Sequence, residues 1–257
     1  MSTPEIVVAD DEDATAADAA SRLITALSAA QAARGVASVV LTGGGVGIAT
    51  LAAVAGSAER DRVDWSAVEV FWGDERFVPA GDDDRNDRQA REALLDALPL
   101  DPGRVHPMPA SDAELGVDGT DAGNPDIAAD AYAQTLAEDA GRLGHDLGVP
   151  AFDVLLAGCG PEGHTLSVFP RSPAVAAADA GVVAVRDCPK PPPTRISLTL
   201  AAARRAREVW LVAAGSGKAD VLAQAARGAS EADVPLAGLR GTERTLWLLD
   251  REAAAQL

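Results

Sequence analysis

The stretch Phe152–Pro170, FDVLLAGCGPEGHTLSVFP, decides the fold because it passes from a buried strand into a glycine-rich turn within a few residues. Phe152 to Ala157 is a short apolar run, typical of a parallel strand that is covered on both faces, and no hairpin signal follows it. The apolar spacing after His164 predicts a helical turn that begins near this histidine and ends at Pro170. The dipole of such a helix would lower the pKa of His164, whereas the carboxylates of Asp74 and Glu162 or a bound phosphate would raise it, so a lowered pKa is a hypothesis. We therefore expect His164 at the carboxyl end of a strand, where α/β enzymes place their chemistry.

The order of strand, polar turn and helix recurs along the chain. Strands are predicted at residues 5–9, 36–41, 68–72, 152–157, 181–186, 208–213 and 245–249, and helices at 13–34, 48–55, 85–97, 126–143 and after 218. Residues 99–125 are rich in Pro, Gly and Asp and are predicted to form a surface excursion. The alternation predicts an α/β fold with a mostly parallel, Rossmann-like sheet and helices on both faces. Because candidate site residues occur from 42 to 218, we expect a single domain over residues 1–257.

The composition limits the classes of partner and the compartment. Asp and Glu total 39 against 22 Lys and Arg, and the formal charge of −17 argues against a nucleic-acid or anionic membrane surface. The two cysteines form no disulfide framework, and the N-terminus lacks the basic and apolar regions of a signal peptide. No apolar run approaches the length of a membrane span. The sequence predicts a cytoplasmic protein without a nucleic-acid or membrane partner.

The glycine-rich turn after the second predicted strand is typical of a phosphate-binding loop. Its backbone N–H groups can approach an anion at a helix N-terminus, where the helix dipole also favours negative charge. The dinucleotide-binding pattern is incomplete, because Ile48 stands where it requires Gly. A tight strand-to-helix turn is the alternative explanation. The candidate binding residues of this loop are Thr42, Gly43, Gly44 and Gly45.

Two cations are candidates for the same phosphate pocket. Arg195 follows three prolines that restrict its backbone, and Lys218 stands at a predicted helix start. A nucleotide-triphosphate loop is disfavoured at Lys218, because Ala219 offers no hydroxyl to magnesium. For Lys218 alone, the alternative is a solvated surface lysine. For Arg195 alone, the alternative is an ion pair with a carboxylate. Together with the glycine loop, they predict one pocket for a phosphate group.

Asp74 and Arg76 lie just past the third predicted strand, so both side chains can enter the same crevice. A solvated run of charges is the alternative there. Cys159 prolongs an apolar strand and is interpreted as a packing residue rather than a nucleophile. The three histidines, at 106, 145 and 164, lie far apart without the spacing of metal ligands, so no metal site is predicted.

Five segments resemble, in order, motifs of the 6-phosphogluconolactonase family. VEVFWGDERFVP, with the later Asn86, is similar to the family's Asp-Glu-Arg motif, GCGPEGHTLSVFP to its Gly-x-Gly-x-Asp-Gly-His motif, and KPPPTRISLTL to its proline-arginine segment. With LTGGG and GSGKAD, the resemblance covers about residues 39 to 222. The chain departs from the family at two places. Gly45-Val46-Gly47 replaces the hydroxyl-bearing end of the phosphate loop, and Glu162 stands where the family commonly has Asp.

The resemblance implies hydrolysis of 6-phospho-D-glucono-1,5-lactone to 6-phosphogluconate in the oxidative pentose phosphate pathway, without metal or cofactor. It implies a fold shared with glucosamine-6-phosphate deaminase and ribose-5-phosphate isomerase. His164 would be the general base, Asp74 would support it, and Arg76 would contact substrate or developing negative charge. The glycine loop, Arg195 and Lys218 would hold the phosphate. Functional coupling to glucose-6-phosphate dehydrogenase, which makes the lactone, is a further expectation.

Two other functions remain open at this level. An amino-sugar-phosphate deaminase or aldose–ketose isomerase uses the same fold, but the deaminase resemblance would place a glutamate shortly after the histidine, and Thr165 to Pro170 contains no acid. A non-catalytic sugar-phosphate-binding module of the kind found in transcription regulators would need a DNA-binding domain, for which we expect no room in this chain.

Overall fold

Ten strands form two sheets in the residues that the computed structural model describes, 4–115, 122–143 and 148–257. They are β1 (Glu5–Ala9), β2 (Ala37–Leu41), β3 (Val68–Trp72), β4 (Asp74–Arg76), β5 (Val105–His106), β6 (Val154–Ala157), β7 (Val182–Val185), β8 (Arg195–Leu198), β9 (Glu208–Ala213) and β10 (Arg244–Asp250). Seven form a parallel sheet in the order β1-β10-β9-β6-β2-β3-β5. The prediction of a mostly parallel sheet is confirmed.

Helices cover both faces of this sheet, and every residue of β2, β3 and β6 is buried. The helices are α1 (Glu12–Arg34), α2 (Gly45–Gly56), α3 (Asn86–Ala93), α4 (Pro125–Leu143), α5 (Leu200–Ala203) and α6 (Ala219–Ala226). Helix α1 packs on α2 and contacts β2, β9 and β10. Within the described ranges, no helix combines the length and the apolar character that crossing a membrane would require.

Helix α1 shows how the sequence sets the bounds of an element. The side chain of Asp11 accepts a hydrogen bond of 2.8 Å from the backbone N–H of Ala14, which caps the first turn. Gly35 ends the helix with a φ of 78° in the left-handed region. Leu23 and Leu27 lie one turn apart and are buried in the core, so the helix presents an apolar face to the sheet.

The second sheet has three antiparallel strands in the order β4-β8-β7. The sequence pattern indicated a loop for Asp74 to Arg76, whereas the structure places these residues in β4, paired with β8. Asp74 lies opposite Ser197, and Arg76 lies opposite Arg195. This pairing, which joins segments about 120 residues apart, brings the Asp-Glu-Arg motif and the proline-arginine segment to one site.

The predicted helical turn at His164 is wrong. The backbone N–H of Gly160 donates to the carbonyl oxygen of His164 at 3.0 Å, and the hydroxyl of Thr165 donates to the carbonyl oxygen of Gly158 at 2.9 Å. These bonds fold the chain back on itself, and Thr165 then forms an isolated antiparallel bridge with Val168. No helix dipole therefore acts on His164.

Two smaller differences concern the edges of elements. Strand β6 begins at Val154 rather than at Phe152. Within the predicted excursion of residues 99–125, Val105 and His106 form the edge strand β5, which pairs with β3. Residues 116–121 of that excursion lie outside the described residues.

The topology places a crevice between β2 and β6. From β2 the chain continues to β3 and β5 on one side, whereas β6, β9 and β10 lie on the other side. In an open parallel sheet, ligands bind beyond the carboxyl ends of the strands at such a switch point. The turns that follow β2 and β6 are the two glycine-rich stretches of the sequence.

Tyr132 in α4 provides a test of how the helix is attached to the sheet. Its hydroxyl accepts from the backbone N–H of Trp72 at 3.0 Å and donates to the carbonyl oxygen of Trp72 at 3.2 Å. Tyr132→Phe should lower the free energy of unfolding by about 1–3 kcal/mol, because two buried backbone groups lose their partner. Denaturant titration measures this loss, with the exposed Gln134→Ala in the same helix as the control. Equal stability of Tyr132→Phe and wild type would contradict this role.

Candidate active site

A cavity of about 140 Å³ opens at the switch point between β2 and β6. Its lining comes from the turn after β2, from β4, from the start of α3, from the turn after β6, and from β8. The lining residues are Thr42, Gly43, Gly44, Asp74, Arg76, Asn86, Gly158, Cys159, His164, Leu166 and Arg195. The structure thus brings together seven of the nine residues that the sequence suggested. Gly45 and Lys218 lie in an adjoining cavity.

His164 is oriented by a carboxylate two residues before it. Its Nδ1 lies 2.8 Å from Oε1 of Glu162, and its ring stacks on Phe169 with centroids 4.4 Å apart. A carboxylate at this distance accepts the Nδ1–H, which leaves Nε2 of the neutral imidazole as a hydrogen-bond acceptor. The structure therefore gives His164 the tautomer that a general base requires.

The turn accommodates this pair because residue 160 has no side chain. A Cβ atom at Gly160 would lie 2.2 Å from Nδ1 of His164 and 2.4 Å from Oε2 of Glu162. Such distances are far shorter than any van der Waals contact. Gly160 is therefore required by close approach, and its φ is not in the left-handed region.

Burial lowers the pKa of His164, and the positive charge of Lys190 acts in the same direction, whereas the carboxylates of Glu162 and Asp74 oppose them. The sequence predicted this direction, but from a helix dipole that the structure does not contain. Burial raises the pKa of Glu162, yet its hydrogen bonds and the charges of His164 and Lys190 bring that pKa below its ordinary value. At neutral pH the pair is a neutral imidazole on an ionised carboxylate.

Asp74 lies across the cavity from this pair and is buried. Its Oδ2 accepts a hydrogen bond of 2.6 Å from the hydroxyl of Ser167. The backbone N–H of Ser167 donates a hydrogen bond of 3.1 Å to the hydroxyl oxygen of Ser197. Asp74 thus influences His164 through its charge, while its hydrogen bond ties β4 to the chain that follows His164.

A buried glutamate fixes β4 against α3. The carboxylate of Glu75 accepts from the backbone N–H groups of Asn86 at 2.7 Å and Asp87 at 2.9 Å, and the Arg85 guanidinium lies 3.6 Å away. Burial raises the pKa of Glu75, although Arg85 and these N–H groups act against the shift. The carboxylate caps the first turn of α3 and so places Asn86 at the cavity.

Asn86 holds Arg76 in position. Nη1 of Arg76 donates to Oδ1 of Asn86 at 2.6 Å and to the carbonyl oxygen of Asp84 at 2.7 Å. The buried Nε of Arg76 has no hydrogen-bond partner in the described part of the chain. Gly43 lets Asn86 approach, since a Cβ there would lie 1.9 Å from Oδ1 of Asn86. Arg76 is therefore a fixed cation at the cavity with an unsatisfied donor.

Arg195 lies opposite Arg76 in the small sheet and, unlike the partly exposed Arg76, is buried. Its Nε donates to the carbonyl oxygen of Pro192 at 2.7 Å, and its Nη2 lies 3.3 Å from that of Pro191. The proline segment thus folds around the guanidinium and orients it. Two guanidinium groups on facing strands favour an anionic or strongly polarised ligand between them.

The adjoining cavity, of about 290 Å³, is built around the N-terminus of α2. Its N-cap residue, Gly44, provides no side-chain hydrogen bond, so the first N–H groups of the helix face the cavity without a cap. Lys218 and Glu12 also line this cavity and contribute an ammonium group and a carboxylate. The two cavities share Gly43, Gly44, Gly158 and Cys159.

Cys159 borders both cavities without being activated. Burial raises the pKa of Cys159 to about 11, and Lys218 lowers it only in part. A thiol in this state is a poor nucleophile. The assignment of Cys159 to packing agrees with this environment.

One group of possible metal ligands occurs among the described residues, away from the cavity. Glu69 of β3, His106 of β5 and Asp139 of α4 bring their ligand atoms within 4.8 Å of one another. The Nε2 of His106 lies 2.8 Å from Glu69 and 3.3 Å from Asp139, and Arg104 also pairs with Glu69. These contacts form a polar network between α4 and the sheet edge in which Arg104 pairs with Glu69, and none of these residues lines the active-site cavity.

Sequence reasoning missed the supporting residues of the site. Glu162 was noted as a departure from the family motif and not as the partner of His164, although a carboxylate two residues before a histidine was visible. Ser167, Lys190 and Glu12 gave no local signal, because their roles depend on contacts between segments distant in the chain.

Known proteins resemble this chain over nearly its whole length. A family model described as glucosamine-6-phosphate isomerases/6-phosphogluconolactonase matches residues 10–247. The chain is 54% identical over 255 residues to a 6-phosphogluconolactonase from Streptomyces coelicolor, covering 99% of this chain and 95% of that protein. The structure of 6-phosphogluconolactonase from Trypanosoma brucei has a TM-score of 0.79 at 29% identity and covers 100% of both chains. A monomeric glucosamine-6-phosphate deaminase, 15% identical with a TM-score of 0.75, covers 98% of this chain and 100% of its own and shares the fold.

The environment of Cys159 predicts its reactivity. With a pKa of about 11, Cys159 should react with iodoacetamide at pH 8 roughly a hundredfold more slowly than a free cysteine, because little thiolate is present. Peptide mass spectrometry after timed labelling measures this rate, and the same protein unfolded in urea is the control. Rapid labelling of Cys159 in the folded protein would mean that the thiol is activated.

Proposed function

The chain belongs to the family of glucosamine-6-phosphate isomerases and 6-phosphogluconolactonases, and we propose that it hydrolyses 6-phospho-D-glucono-1,5-lactone to 6-phosphogluconate in the oxidative pentose phosphate pathway. The observation that carries this function is the neutral imidazole of His164, held by Glu162 at the wall of a cavity that adjoins an anion-binding helix N-terminus. Hydrolysis of a phosphorylated lactone requires a general base for the water and a nearby anion site for the phosphate.

His164 activates the water that attacks the lactone. Nε2 accepts a proton from the water as its oxygen bonds to the lactone carbonyl carbon, and the carbonyl oxygen takes up the negative charge. When this intermediate collapses, the bond from the carbonyl carbon to the ring oxygen breaks, and Nε2–H returns the proton to that oxygen. Glu162 stabilises the imidazolium that exists between the two steps. The sum is one water added across one ester bond.

Arg76 stabilises the oxyanion of the intermediate. Its Nη1 is fixed by Asn86 and by the backbone of Asp84, while its buried Nε has no partner among the described residues. A donor held in place before the reaction costs no reorganisation when charge develops on the carbonyl oxygen. Asp74 limits the excess positive charge that Arg76 and Arg195 bring to the cavity.

The phosphate of the substrate occupies the adjoining cavity. The uncapped N–H groups at the start of α2 and the ammonium of Lys218 meet there, and Gly45 lies in the same wall. Because Gly43 and Gly44 border both cavities, one bound ligand can extend over these glycines and occupy both cavities. Arg195 contacts the substrate from the wall of the first cavity. Binding of the distant dianion then positions the lactone carbonyl near His164.

Three further properties are part of the proposal. The reaction needs no metal or cofactor, because His164 supplies the base and Arg76 the positive charge. The two cysteines, Cys159 and Cys188, are both free thiols, which supports a location in the reducing cytoplasm. The short life of the lactone in water supports functional coupling to glucose-6-phosphate dehydrogenase, the enzyme that makes it.

The activity is tested by generating the lactone with glucose-6-phosphate dehydrogenase in the same cuvette and measuring acceleration over spontaneous hydrolysis, with and without a chelator. Fructose 6-phosphate and ammonia from glucosamine 6-phosphate, without any acceleration of lactone hydrolysis, would assign the chain to the deaminases. Binding of a sugar phosphate without turnover of either compound would favour a binding module.

The lowered pKa of His164 predicts a pH dependence. The base works when it is neutral, so the rate should be constant at physiological pH and fall on the acid side through one ionisation below about 6.5, the ordinary histidine value. His164→Ala should remove this acid limb and reduce kcat roughly a hundredfold or more. A pH–rate profile of both proteins, corrected for spontaneous hydrolysis, measures this. A variant that keeps the acid limb would show that another group activates the water.

The phosphate site predicts selective losses. Lys218→Met should raise KM for the phosphorylated lactone roughly ten- to a hundredfold, the range for losing a hydrogen bond to a charged group, and should change turnover of unphosphorylated gluconolactone little. The same comparison for Arg195→Met shows whether this side chain contacts the phosphate or the ring. Equal losses on both lactones for Lys218→Met would contradict the position of the phosphate.

A further inference from the structure

Lys190 contacts the same carboxylate that holds His164, at the oxygen that His164 does not use. Its Nζ is 3.3 Å from Oε2 of Glu162, while Oε1 of the same carboxylate is 2.8 Å from Nδ1 of His164. Lys190 and Glu162 do not line the substrate cavity. Glu162 therefore connects Lys190 to His164, and of these three residues His164 alone lines the cavity.

The geometry points to Lys190 as a positioning residue that anchors the second oxygen of Glu162 and keeps His164 in its neutral, proton-accepting form. This inference rests on the proposed function, in which His164 is the base. Lys190 acts on the reaction through its contact with Glu162 and through its own positive charge, and not through contact with the substrate.

The length of Glu162 explains why a second anchor is needed. Glu162 has one more rotatable bond than the aspartate that the family motif commonly carries, so its carboxylate loses more rotamer freedom when it is held in one place. One hydrogen bond to His164 leaves Oε2 free to turn away. The contact with Lys190 fixes both oxygens, and Gly160 leaves the room in which they lie.

The positive charge of Lys190 disfavours the imidazolium form of His164 in two ways. The ammonium repels a proton on the imidazole directly, and by pairing with Glu162 it weakens the attraction of that carboxylate for an imidazolium. The other ionisable groups that face His164 are Glu162 and Asp74, which favour the imidazolium, and Arg76, Arg195 and the Cys159 thiol in the cavity wall. Lys190 is the cation among them that contacts the partner of His164.

The sequence itself sets Lys190 apart. Of 22 Lys and Arg residues, only Lys190 and Lys218 are lysines, and both lie at the site. Lysine is a compact charge on a flexible stem, whereas arginine presents a planar fork. At 44% exposure, the side chain of Lys190 is open enough to substitute without leaving a buried cavity.

The test uses nuclear magnetic resonance titration of the His164 ring together with the pH–rate profile. The variants are Lys190→Met, the charge-conserving Lys190→Arg, Glu162→Gln and the double variant Lys190→Met with Glu162→Gln. Arg186→Met is the matched control, because it removes one positive charge from the same region, where Arg186 pairs with Asp126 at the surface.

Lys190→Met should move the His164 titration to higher pH, and on the acid limb the rate should fall roughly two- to fivefold relative to wild type, the scale of one screened charge interaction. Glu162→Gln should move the titration to lower pH. Lys190→Arg should restore most of the wild-type profile, and Arg186→Met should leave it unchanged. In the Glu162→Gln background, Lys190→Met should produce a smaller shift, because part of its effect passes through the carboxylate.

An unchanged or lowered His164 titration in Lys190→Met would overturn the inference, as would a raised KM with an unchanged pH profile, which would mean direct contact with substrate. The proposed function fails separately. If wild type does not accelerate lactone hydrolysis but Lys190→Met still shifts the His164 titration, the effect of Lys190 on His164 is supported and the lactonase activity is contradicted.

Discussion

The absence of a side chain at Gly160 is the constraint on which the site depends. It allows the carboxylate of Glu162 and the imidazole of His164 to lie over the turn after β6, where any Cβ would overlap both. The turn closes through its own hydrogen bonds between Gly160 and His164, so the histidine is fixed by backbone geometry before any substrate binds. The choice of tautomer, the lowered pKa and the open Nε2 all follow from this placement.

The two sheets contribute different residues to the site. The parallel sheet brings the turns after β2, β6 and β9 to one edge, which supplies the glycine-rich turn, His164 and Lys218. The small antiparallel sheet crosses that edge and adds Asp74, Arg76 and Arg195. Buried Glu75 joins the two parts, because it caps α3 and so places Asn86 against Arg76. Arg76 and Arg195 are therefore held at the cavity by hydrogen bonds to Asn86 and to the proline segment.

The sequence predicted the parts of this structure that depend on local pattern. Strands β1, β3 and β9 have the predicted bounds, and α1 begins one residue early, because alternation, capping and glycine stops are encoded within each segment. The prediction of a helical turn at His164 was wrong, because apolar spacing alone does not show that the hydroxyl of Thr165 donates to the carbonyl oxygen of Gly158. The pairing of β4 with β8 and the contacts of Glu162 with His164 and Lys190 lay beyond local pattern. They arise between segments that only the fold brings together.

Glu162 holds His164 in the tautomer with a proton on Nδ1 and none on Nε2. Nitrogen-15 chemical shifts of the His164 ring at neutral pH measure this state directly, with resonances assigned by loss of signal in His164→Ala. We expect one protonated nitrogen, Nδ1, and an unprotonated Nε2. A ring that is protonated on Nε2, or on both nitrogens, at neutral pH would contradict it, because His164 would then have no lone pair to accept a proton from water.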